Sequence, residues 1–140
     1  MKKSMLILAL SSLLVTSCGY VQNSGEKLQH DVMKYNVALR WKQIAIAKNY
    51  MAAEVQNALL EELGKLFDSV EIVEYEILSV ERKENKATVD VMLAWYTPPS
   101  MSVKHAVYRQ IWSYRSSSWQ LIEQKIFKKE TMGLQTGSKF

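Results

Sequence analysis

Residues 87–96 have the sequence Ala-Thr-Val-Asp-Val-Met-Leu-Ala-Trp-Tyr, in which every second side chain from Val89 onward is large and apolar. In an extended strand these side chains share one face, because successive residues point to opposite sides. The apolar set is Val89, Val91, Leu93 and Trp95. Asp90 belongs to the other set and is predicted to face away from the buried side. The alternation therefore predicts a strand with one face against a core.

The chain before this segment predicts another strand, over residues 70–81. It alternates and is rich in valine, isoleucine and tyrosine, residue types that are enriched in strands. The alternation slips near Glu74 and Tyr75, which predicts a β-bulge. Residues 82–86 are polar and predict the turn between the two strands.

Two more strands are predicted downstream. Pro98 and Pro99 must interrupt the sheet, because proline has no N–H to donate to a neighbouring strand. Strands are predicted over residues 103–115 and 119–127, and the serines at residues 116–118 predict a hairpin turn between them.

Helical periodicity replaces the strand pattern before residue 70. From a capping box of Asn23 and Glu26, apolar residues recur at intervals of three and four, and Trp41 widens their stripe. Asn49 predicts the end of this helix, and residues 52–67 predict a second one; a single long bent helix is the alternative. Helices with apolar stripes followed by a four-stranded antiparallel meander predict an α+β fold.

The hairpin Trp112-Ser113-Tyr114, turn, Trp119-Gln120-Leu121-Ile122 resembles the one that ends many members of the nuclear-transport-factor-2-like, or cystatin-like, superfamily. The segments Leu39-Arg40-Trp41, Pro99-Ser100-Met101-Ser102-Val103 and Arg109-Gln110-x-Trp112 resemble small uncharacterised proteobacterial lipoproteins of this shape. The resemblance covers roughly residues 29–127. It implies a cystatin-like cone, in which N-terminal helices pack on a curved four-stranded antiparallel sheet. Physically, the two tryptophans are expected to be cross-strand packing residues.

Residues 1–18 resemble a bacterial lipoprotein signal. Two lysines precede an apolar run over residues 5–15, which is too short to cross a bilayer because a spanning helix needs about 20 residues. Val15-Thr16-Ser17-Cys18 then resembles a lipobox. The resemblance implies cleavage before Cys18, diacylglycerol on its sulfur and a fatty acyl group such as palmitate on its amino end, which together anchor a protein stably. An ordinary secretory signal followed by a free thiol is the alternative.

Localisation follows from the same resemblance. In Gram-negative lipoproteins an aspartate after the cysteine commonly favours the inner membrane, and Gly19 is not that signal. The outer membrane, facing the periplasm, is therefore implied; a Gram-positive source would place the chain on the outer face of the cytoplasmic membrane. The predicted parts are a signal peptide (residues 1–17), the lipidated cysteine and a tether (18–25), an α+β domain (26–127) and a flexible tail (128–140).

Composition excludes several classes of function. The net charge of +4 falls by two when residues 1–17 are removed, and no run of five like charges indicates a polybasic tail. Compartment and charge therefore disfavour nucleic acid as a partner. His30 and His105 are isolated, and the single cysteine is Cys18, so neither a metal site nor a disulfide is predicted. No cofactor is predicted either.

No catalytic site is predicted. The chemistry of ketosteroid isomerase, which has a similar fold, needs a carboxylate and a tyrosine or protonated acid that converge in an apolar pocket. Asp90 is predicted to point away from such a pocket. With Cys18 lipidated no nucleophile–histidine–acid set is available, and there is no glycine-rich phosphate loop.

Four residues are the candidates for contact with a ligand or partner: Trp95, Tyr108, His105 and Arg109. His105 and Arg109 share one face of their strand and could meet an anion, although ion pairs with neighbouring glutamates are the ordinary alternative. Trp41, Trp95 and Tyr108 could line a hydrophobic cavity at the mouth of the cone, or they could fill its core.

Two functions are predicted, from different classes. The first is a non-catalytic envelope lipoprotein, a binding or assembly module that contacts another envelope protein through the exposed sheet face or the Pro98-Pro99 loop. The second is a pocket protein for a small apolar or anionic molecule, with an isomerase-like or hydratase-like enzyme behind it. A pocket protein needs a cavity with convergent polar groups, whereas a binding module has a filled cone and an exposed apolar patch.

Overall fold

A computed structural model describes residues 24–130, with side chains to residue 126. In this range three helices precede four strands. The helices are α1 (Ser24–Arg40), α2 (Ile44–Lys48) and α3 (Ala53–Ser69), and the strands are β1 (Glu71–Lys83), β2 (Lys86–Tyr96), β3 (Lys104–Arg115) and β4 (Ser118–Glu130). The strands form one antiparallel sheet in the order β1-β2-β3-β4. This confirms the predicted α+β meander.

The alternation in β2 builds the inner face of the sheet. Val89 and Val91 are fully buried, and Leu93 is nearly so. Asp90 lies on the other face, as predicted, and pairs in register with Arg109 of β3. The alternating side chains of β2 therefore lie on two faces of the sheet: the apolar set faces the core and the other set faces outward.

Register shifts curve the sheet. β1 slips against β2 between Ile72 and Glu74, next to the predicted bulge, and again between Ile77 and Ser79. β3 slips against β4 between Ile111 and Trp112, and between Val107 and Tyr108. A bulge bends its strand and increases the local twist, so bulges on both sides of the sheet let it wrap around the helices.

The first helix ends earlier than its periodicity predicts. α1 stops at Arg40 because Lys42 adopts a left-handed conformation, with φ of 54°. The Lys42 N–H donates to the Leu39 carbonyl at 3.1 Å and the Gln43 N–H to the Ala38 carbonyl at 2.8 Å, which is the Schellman arrangement. The prediction that Trp41 belongs to the buried stripe is therefore wrong, since its side chain is 63% exposed.

The observed turns and strand ends differ slightly from the predicted ones. Ser116 and Ser117 have positive φ, as a two-residue type I′ hairpin requires, and Ser118 already belongs to β4. The predicted interruption at Pro98 and Pro99 is confirmed, because β2 ends before them and β3 begins after them. β4 continues as far as Glu130. Residues 1–23 and 131–140, which hold the predicted signal, Cys18 and most of the predicted tether and tail, lie outside the described residues. Residues 24 and 25 of the predicted tether belong to α1, and residues 128–130 of the predicted tail belong to β4.

The core lies between the helices and the inner face of the sheet. Trp112 is its largest side chain and is 0% exposed; it sits between Ala87 of β2 and Leu121 of β4 in register, and the small Ala87 leaves room for the indole. Trp119 is 1% exposed, so the expectation that both tryptophans are packing residues is confirmed. None of the helices in the described range is long and apolar enough to cross a bilayer.

Candidate functional site

A hydrogen-bonded pair of amides fills the centre of the cone. Asn36 of α1 and Gln110 of β3 are both 0% exposed. The Gln110 Nε2 donates to Asn36 Oδ1 at 2.9 Å, and the Asn36 Nδ2 donates to Gln110 Oε1 at 3.3 Å. Buried amides are costly unless they are paired, so this reciprocal contact is what allows two polar side chains to occupy the core.

The pair extends into a small polar network. Trp112 Nε1 donates to Gln110 Oε1 at 3.3 Å, and Gln110 Nε2 also donates to Gln124 Oε1 at 3.1 Å. The Tyr35 hydroxyl donates to the same Gln124 oxygen at 3.1 Å. Burial raises the pKa of the Tyr35 phenol far above its ordinary value, so Tyr35 remains a neutral donor. The network is built for packing and hydrogen bonding rather than for proton transfer.

A cavity opens beside this network, at the mouth of the cone. It has a volume of about 200 Å³ and lies between α3 and the outer ends of β3 and β4. Its lining residues are Leu59, Glu62, Leu63, Leu66, Tyr108, Gln124, Lys125 and Ile126. Sites for small molecules usually enclose roughly 300–1,000 Å³, so this cavity suits at most a small fragment.

Four polar side chains line the cavity beside its apolar residues: Glu62, Tyr108, Gln124 and Lys125. Burial raises the pKa of the Tyr108 phenol, which keeps it neutral. Gln124 is already engaged by Tyr35 and Gln110. At the rim, Lys125 Nζ pairs with Glu123 Oε1 at 2.7 Å. The arrangement can hold a small, mostly apolar molecule, and Glu62 and Lys125 are the charged side chains of its lining.

The four predicted contact residues lie in three places. Tyr108 lines the cavity, and Trp95 is half-buried and packs against the core at the end of β2. His105 and Arg109 lie on the outer face of the sheet, so the sheet itself separates them from the cavity. The sheet therefore separates the basic candidates from the cavity that Tyr108 lines.

On the outer face Arg109 is held by Asp90. The guanidinium donates from Nε to Asp90 Oδ1 and from Nη2 to Oδ2, both at 2.8 Å. These hydrogen bonds hold the pKa of the Asp90 carboxyl below its usual range. The ion-pair alternative for Arg109 is the one observed, with Asp90 as its bidentate partner.

The Asp90–Arg109 pair makes stability depend on pH. The pKa of Asp90 is lower in the folded chain than in the unfolded chain, where it is about 3.9. The ion pair therefore stabilises the fold at pH values above the unfolded pKa, and this stabilisation is lost as the pH falls through the folded pKa. We expect Asp90→Asn to cost about 1 kcal/mol near neutral pH, and this difference to shrink below about pH 4. Urea unfolding at several pH values measures it, with Glu76→Gln on β1 as the control. A difference that stays constant down to low pH contradicts the assignment.

Another buried acid ties the first helix to the last hairpin. Asp31 is 3% exposed, and its Oδ2 accepts the backbone N–H of Trp119 at 3.2 Å. Lys27 and His30 lie 3.5 Å and 3.2 Å from its oxygens. No group of three or more metal-binding side chains occurs within residues 24–126. Asp31 therefore links α1 to the start of β4, and a polar residue inside an apolar helical stripe was the sequence signal for it.

An exposed apolar surface lies where α1 joins α2. Trp41 is 63% exposed, Ile46 43% and Ile44 36%. The Arg40 guanidinium stacks over the Trp41 ring at 5.3 Å from its centroid. We call this surface, with Lys48 at its edge, the Trp41 patch. Trp41 was predicted to fill the core or to line the cavity, and both predictions are wrong, because it is exposed and lies outside the cavity lining.

Neither a protein-family profile nor a curated protein sequence matches this chain. Solved structures match it in shape. A protein of unknown function with a cystatin-like fold from Nostoc punctiforme is 10% identical, with a TM-score of 0.59 over 77% of this chain and 92% of that one. A nuclear-transport-factor-2-like protein from Cytophaga hutchinsonii is 7% identical, with a TM-score of 0.60 over 76% of this chain and 99% of that one.

A ketosteroid isomerase-like protein from Erwinia carotovora atroseptica is 16% identical, with a TM-score of 0.58 over 70% of this chain and 90% of that one. At these identities the likeness concerns the fold, and activity does not follow from fold. The chain has the nuclear-transport-factor-2-like, cystatin-like fold: helices followed by a curved, four-stranded antiparallel sheet.

Proposed function

We propose that this protein is a membrane-anchored, non-catalytic binding module of the cell envelope. The observation that carries the proposal is the filled cone: Asn36, Gln110 and Trp112 occupy its centre and are 0% exposed. The cavity at the mouth has a volume of about 200 Å³, and a second cavity of about 390 Å³ lies between α1 and β1, lined by Leu28, Val32 and Ile77 among others. A filled interior combined with an exposed apolar patch is what a surface-binding module needs, whereas a pocket protein needs the reverse.

The hydrogen bonds and positions of Tyr35 and Asp90 argue against a catalytic role for these two residues. The Tyr35 phenol is buried and donates to Gln124, and Asp90 is held by Arg109 on the face opposite the cavity. An acid–base pair must lie within hydrogen-bond reach of one substrate, and the sheet keeps Asp90 and Tyr108 apart, so Glu62 is the carboxylate that shares the cavity lining with Tyr108. We therefore assign binding to the exposed surface of the domain, and the packed interior supports that surface.

Anchoring rests on the sequence of residues 1–18, which resembles a lipoprotein signal. Cys18 precedes Ser24, the first residue of α1, by six residues. At about 3.4 Å per residue this tether reaches roughly 20 Å when it is extended. A domain held this way stays close to the membrane and meets partners that are confined to the same surface.

We expect the mature chain to carry acyl groups on Cys18. Cells grown with labelled palmitate should label the wild-type protein, and mass spectrometry should find an N-terminal peptide that begins with modified Cys18. Cys18→Ala should abolish both signals, because the thioether has no sulfur to form on. A wild-type protein released unlabelled, with a free thiol at Cys18, would show ordinary secretion and overturn the anchoring proposal.

The binding role is tested by photo-crosslinking in intact cells. A photoreactive residue at position 101, in the loop after Pro98 and Pro99, is well placed because Met101 is 76% exposed. One discrete adduct with an envelope protein, lost in Cys18→Ala, is the expected result. A reactive residue at Lys65, on the exposed side of α3, is the control position. Equal diffuse adducts from both positions would argue against a specific partner at this loop.

A small-molecule site at the mouth is the second candidate. The convergence of Tyr108 and Gln124 on a wall of leucines favours it. Native mass spectrometry of the purified chain would find a molecule of defined mass, and filling the cavity with Leu66→Trp would remove it. Detection of such a molecule would move the function from the surface to the cavity.

A further inference from the structure

The Trp41 patch is exposed because of how the chain is built there. After α1 the left-handed Lys42 turns the chain, and its Nζ reaches back to the Phe67 carbonyl at 3.0 Å and to Glu71 Oε1 at 2.7 Å. Lys42 therefore holds the connection against α3 and β1. Trp41, on the other side, is left 63% exposed, although burial in a core is where so large an apolar side chain is usually found.

The charged residues of the segment that carries the patch are all basic. Residues 32–53 contain Lys34, Arg40, Lys42 and Lys48 and no aspartate or glutamate. Lys42 is paired with Glu71, whereas the other three make no ion pair with a carboxylate in the described part of the chain. The whole chain carries a formal charge of only +4, so this stretch concentrates positive charge beside exposed apolar groups.

The Trp41 patch and the attachment point of the tether lie at opposite ends of α1. α1 has 17 residues and is about 25 Å long, so the patch lies one helix length from Ser24. Between the two ends, Met33 is 41% exposed and Lys34 is exposed. Met33, Val37 and Arg40 follow at intervals of four and three and share one side of the helix. A tether of about 20 Å lets this side of α1 lie along a membrane with the patch in contact.

We propose that the Trp41 patch rests on the anionic phospholipid surface of the membrane to which the chain is anchored; this inference depends on the anchoring in the proposed function. Tryptophan favours the interface between lipid and water, and isoleucine side chains enter the boundary of the acyl chains. Arg40, Lys34 and Lys48 meet the lipid phosphates. The lipid on Cys18 supplies the local concentration, so a weak contact is enough to fix the orientation of the domain.

The test uses the purified lipidated chain in vesicles of phosphatidylethanolamine and phosphatidylglycerol with brominated acyl chains, which quench tryptophan fluorescence on contact. Trp41 is the strongly exposed tryptophan of the described residues, because Trp95 is half-buried and Trp112 and Trp119 are buried. We expect quenching in the wild type that Trp41→Phe largely removes and that Trp95→Phe leaves in place. Circular dichroism checks that each variant is folded.

Charge reversal tests the phosphate contacts. Arg40→Glu with Lys48→Glu should markedly weaken quenching in phosphatidylglycerol vesicles. The matched control is Lys83→Glu with Lys86→Glu at the β1–β2 turn, which changes the net charge equally and lies outside the patch. Equal weakening by both pairs would mean that overall charge, and not the patch, sets the contact, and it would overturn the inference.

The outcomes separate the two proposals. If mass spectrometry shows an acylated Cys18 but Trp41→Phe leaves the quenching unchanged, the patch does not face lipid and this inference fails, while anchoring stands. If Cys18 carries no acyl group, the anchoring proposal fails. The same vesicles added to that chain then decide the patch: quenching that depends on Trp41 keeps the lipid contact, and its absence overturns the contact as well.

Discussion

Replacing Trp112 by alanine is expected to lower the free energy of unfolding by about 3–5 kcal/mol, the usual cost of removing a fully buried aromatic side chain. The indole is 0% exposed and meets the Tyr35 ring edge-on, with centroids 5.6 Å apart and an interplanar angle of 84°. It also donates to Gln110 Oε1 at 3.3 Å. Alanine leaves a cavity between β2, β3 and α1 and leaves the Gln110 oxygen with one donor fewer.

Matched tryptophan variants give the scale for this loss. Trp95→Ala removes a half-buried ring at the end of β2 and should cost clearly less, and Trp41→Ala removes a 63% exposed ring and should change stability by no more than about 0.5 kcal/mol. Urea unfolding followed by far-ultraviolet circular dichroism measures all three without relying on tryptophan emission. A domain with a stability of about 5–15 kcal/mol would lose a large part of it through Trp112 alone.

The order Trp112, Trp95, Trp41 is the result that matters. If Trp95→Ala cost as much as Trp112→Ala, the core would extend to the end of β2 and the proposed filled centre would not explain where stability resides. If Trp41→Ala were strongly destabilising, the patch would be part of the core in solution. Either result would contradict the burial seen in the structure, where Trp112 is buried, Trp95 is half-buried and Trp41 is exposed.

The fold could be predicted because its decisive features are periodic. A period of two in residues 87–96 places Val89 and Asp90 on opposite faces whatever the rest of the chain does. The prolines and serines between strands act locally, through a missing N–H and through turn conformation. Helix, strand and turn patterns agree with one another here, and that agreement is what makes a fold predictable.

The end of α1 could not be predicted, because its signal is usually a glycine. The left-handed position is occupied by Lys42, and what stabilises it is a contact with Phe67 and Glu71, residues far along the chain. The apolar residues Trp41, Ile44 and Ile46 continue a helical spacing past this break. Periodicity therefore placed Trp41 in the core, while the backbone turns it outward.

The candidate site was predicted only in part, since faces follow from the sequence and partners do not. Tyr108 was predicted to line a cavity and Arg109 to meet an anion, and as adjacent strand residues they do point to opposite sides. Asn36 and Gln110 are separated by 74 positions, and no spacing rule connects them. An asparagine inside the apolar stripe of α1 was the available hint, because a buried amide needs a partner.

Replacing Gln110 by methionine, which has a similar shape, is expected to destabilise the chain by roughly 2–6 kcal/mol. Asn36 Oδ1 and Trp112 Nε1 have Gln110 as their hydrogen-bond partner, so both lose it. Each buried polar group left without a partner costs about 1–3 kcal/mol. Gln124 Oε1 keeps the Tyr35 hydroxyl and adds little to the loss.

Asn36→Leu should cost less, although it removes the other half of the same pair. Gln110 Nε2 keeps Gln124 as an acceptor, and Gln110 Oε1 keeps the Trp112 N–H as a donor. No atom of Gln110 is then left wholly without a partner. The variant also removes the bond from Asn36 Nδ2 to the Val32 carbonyl at 2.9 Å, so we expect a loss of about 2–3 kcal/mol from three hydrogen bonds that are worth about 1 kcal/mol each.

The double variant distinguishes a coupled network from two independent polar residues. When Asn36→Leu is added to Gln110→Met, the orphaned Asn36 oxygen disappears, so the second substitution should restore stability rather than remove more of it. Urea unfolding of the wild type, both single variants and the double variant completes the cycle. Additive losses would mean that the two amides do not depend on each other. A double variant more stable than Gln110→Met alone would show that the two amides stabilise the centre of the cone by pairing with each other. In Gln110→Met the Asn36 oxygen is left buried without a donor, and the double variant removes that oxygen.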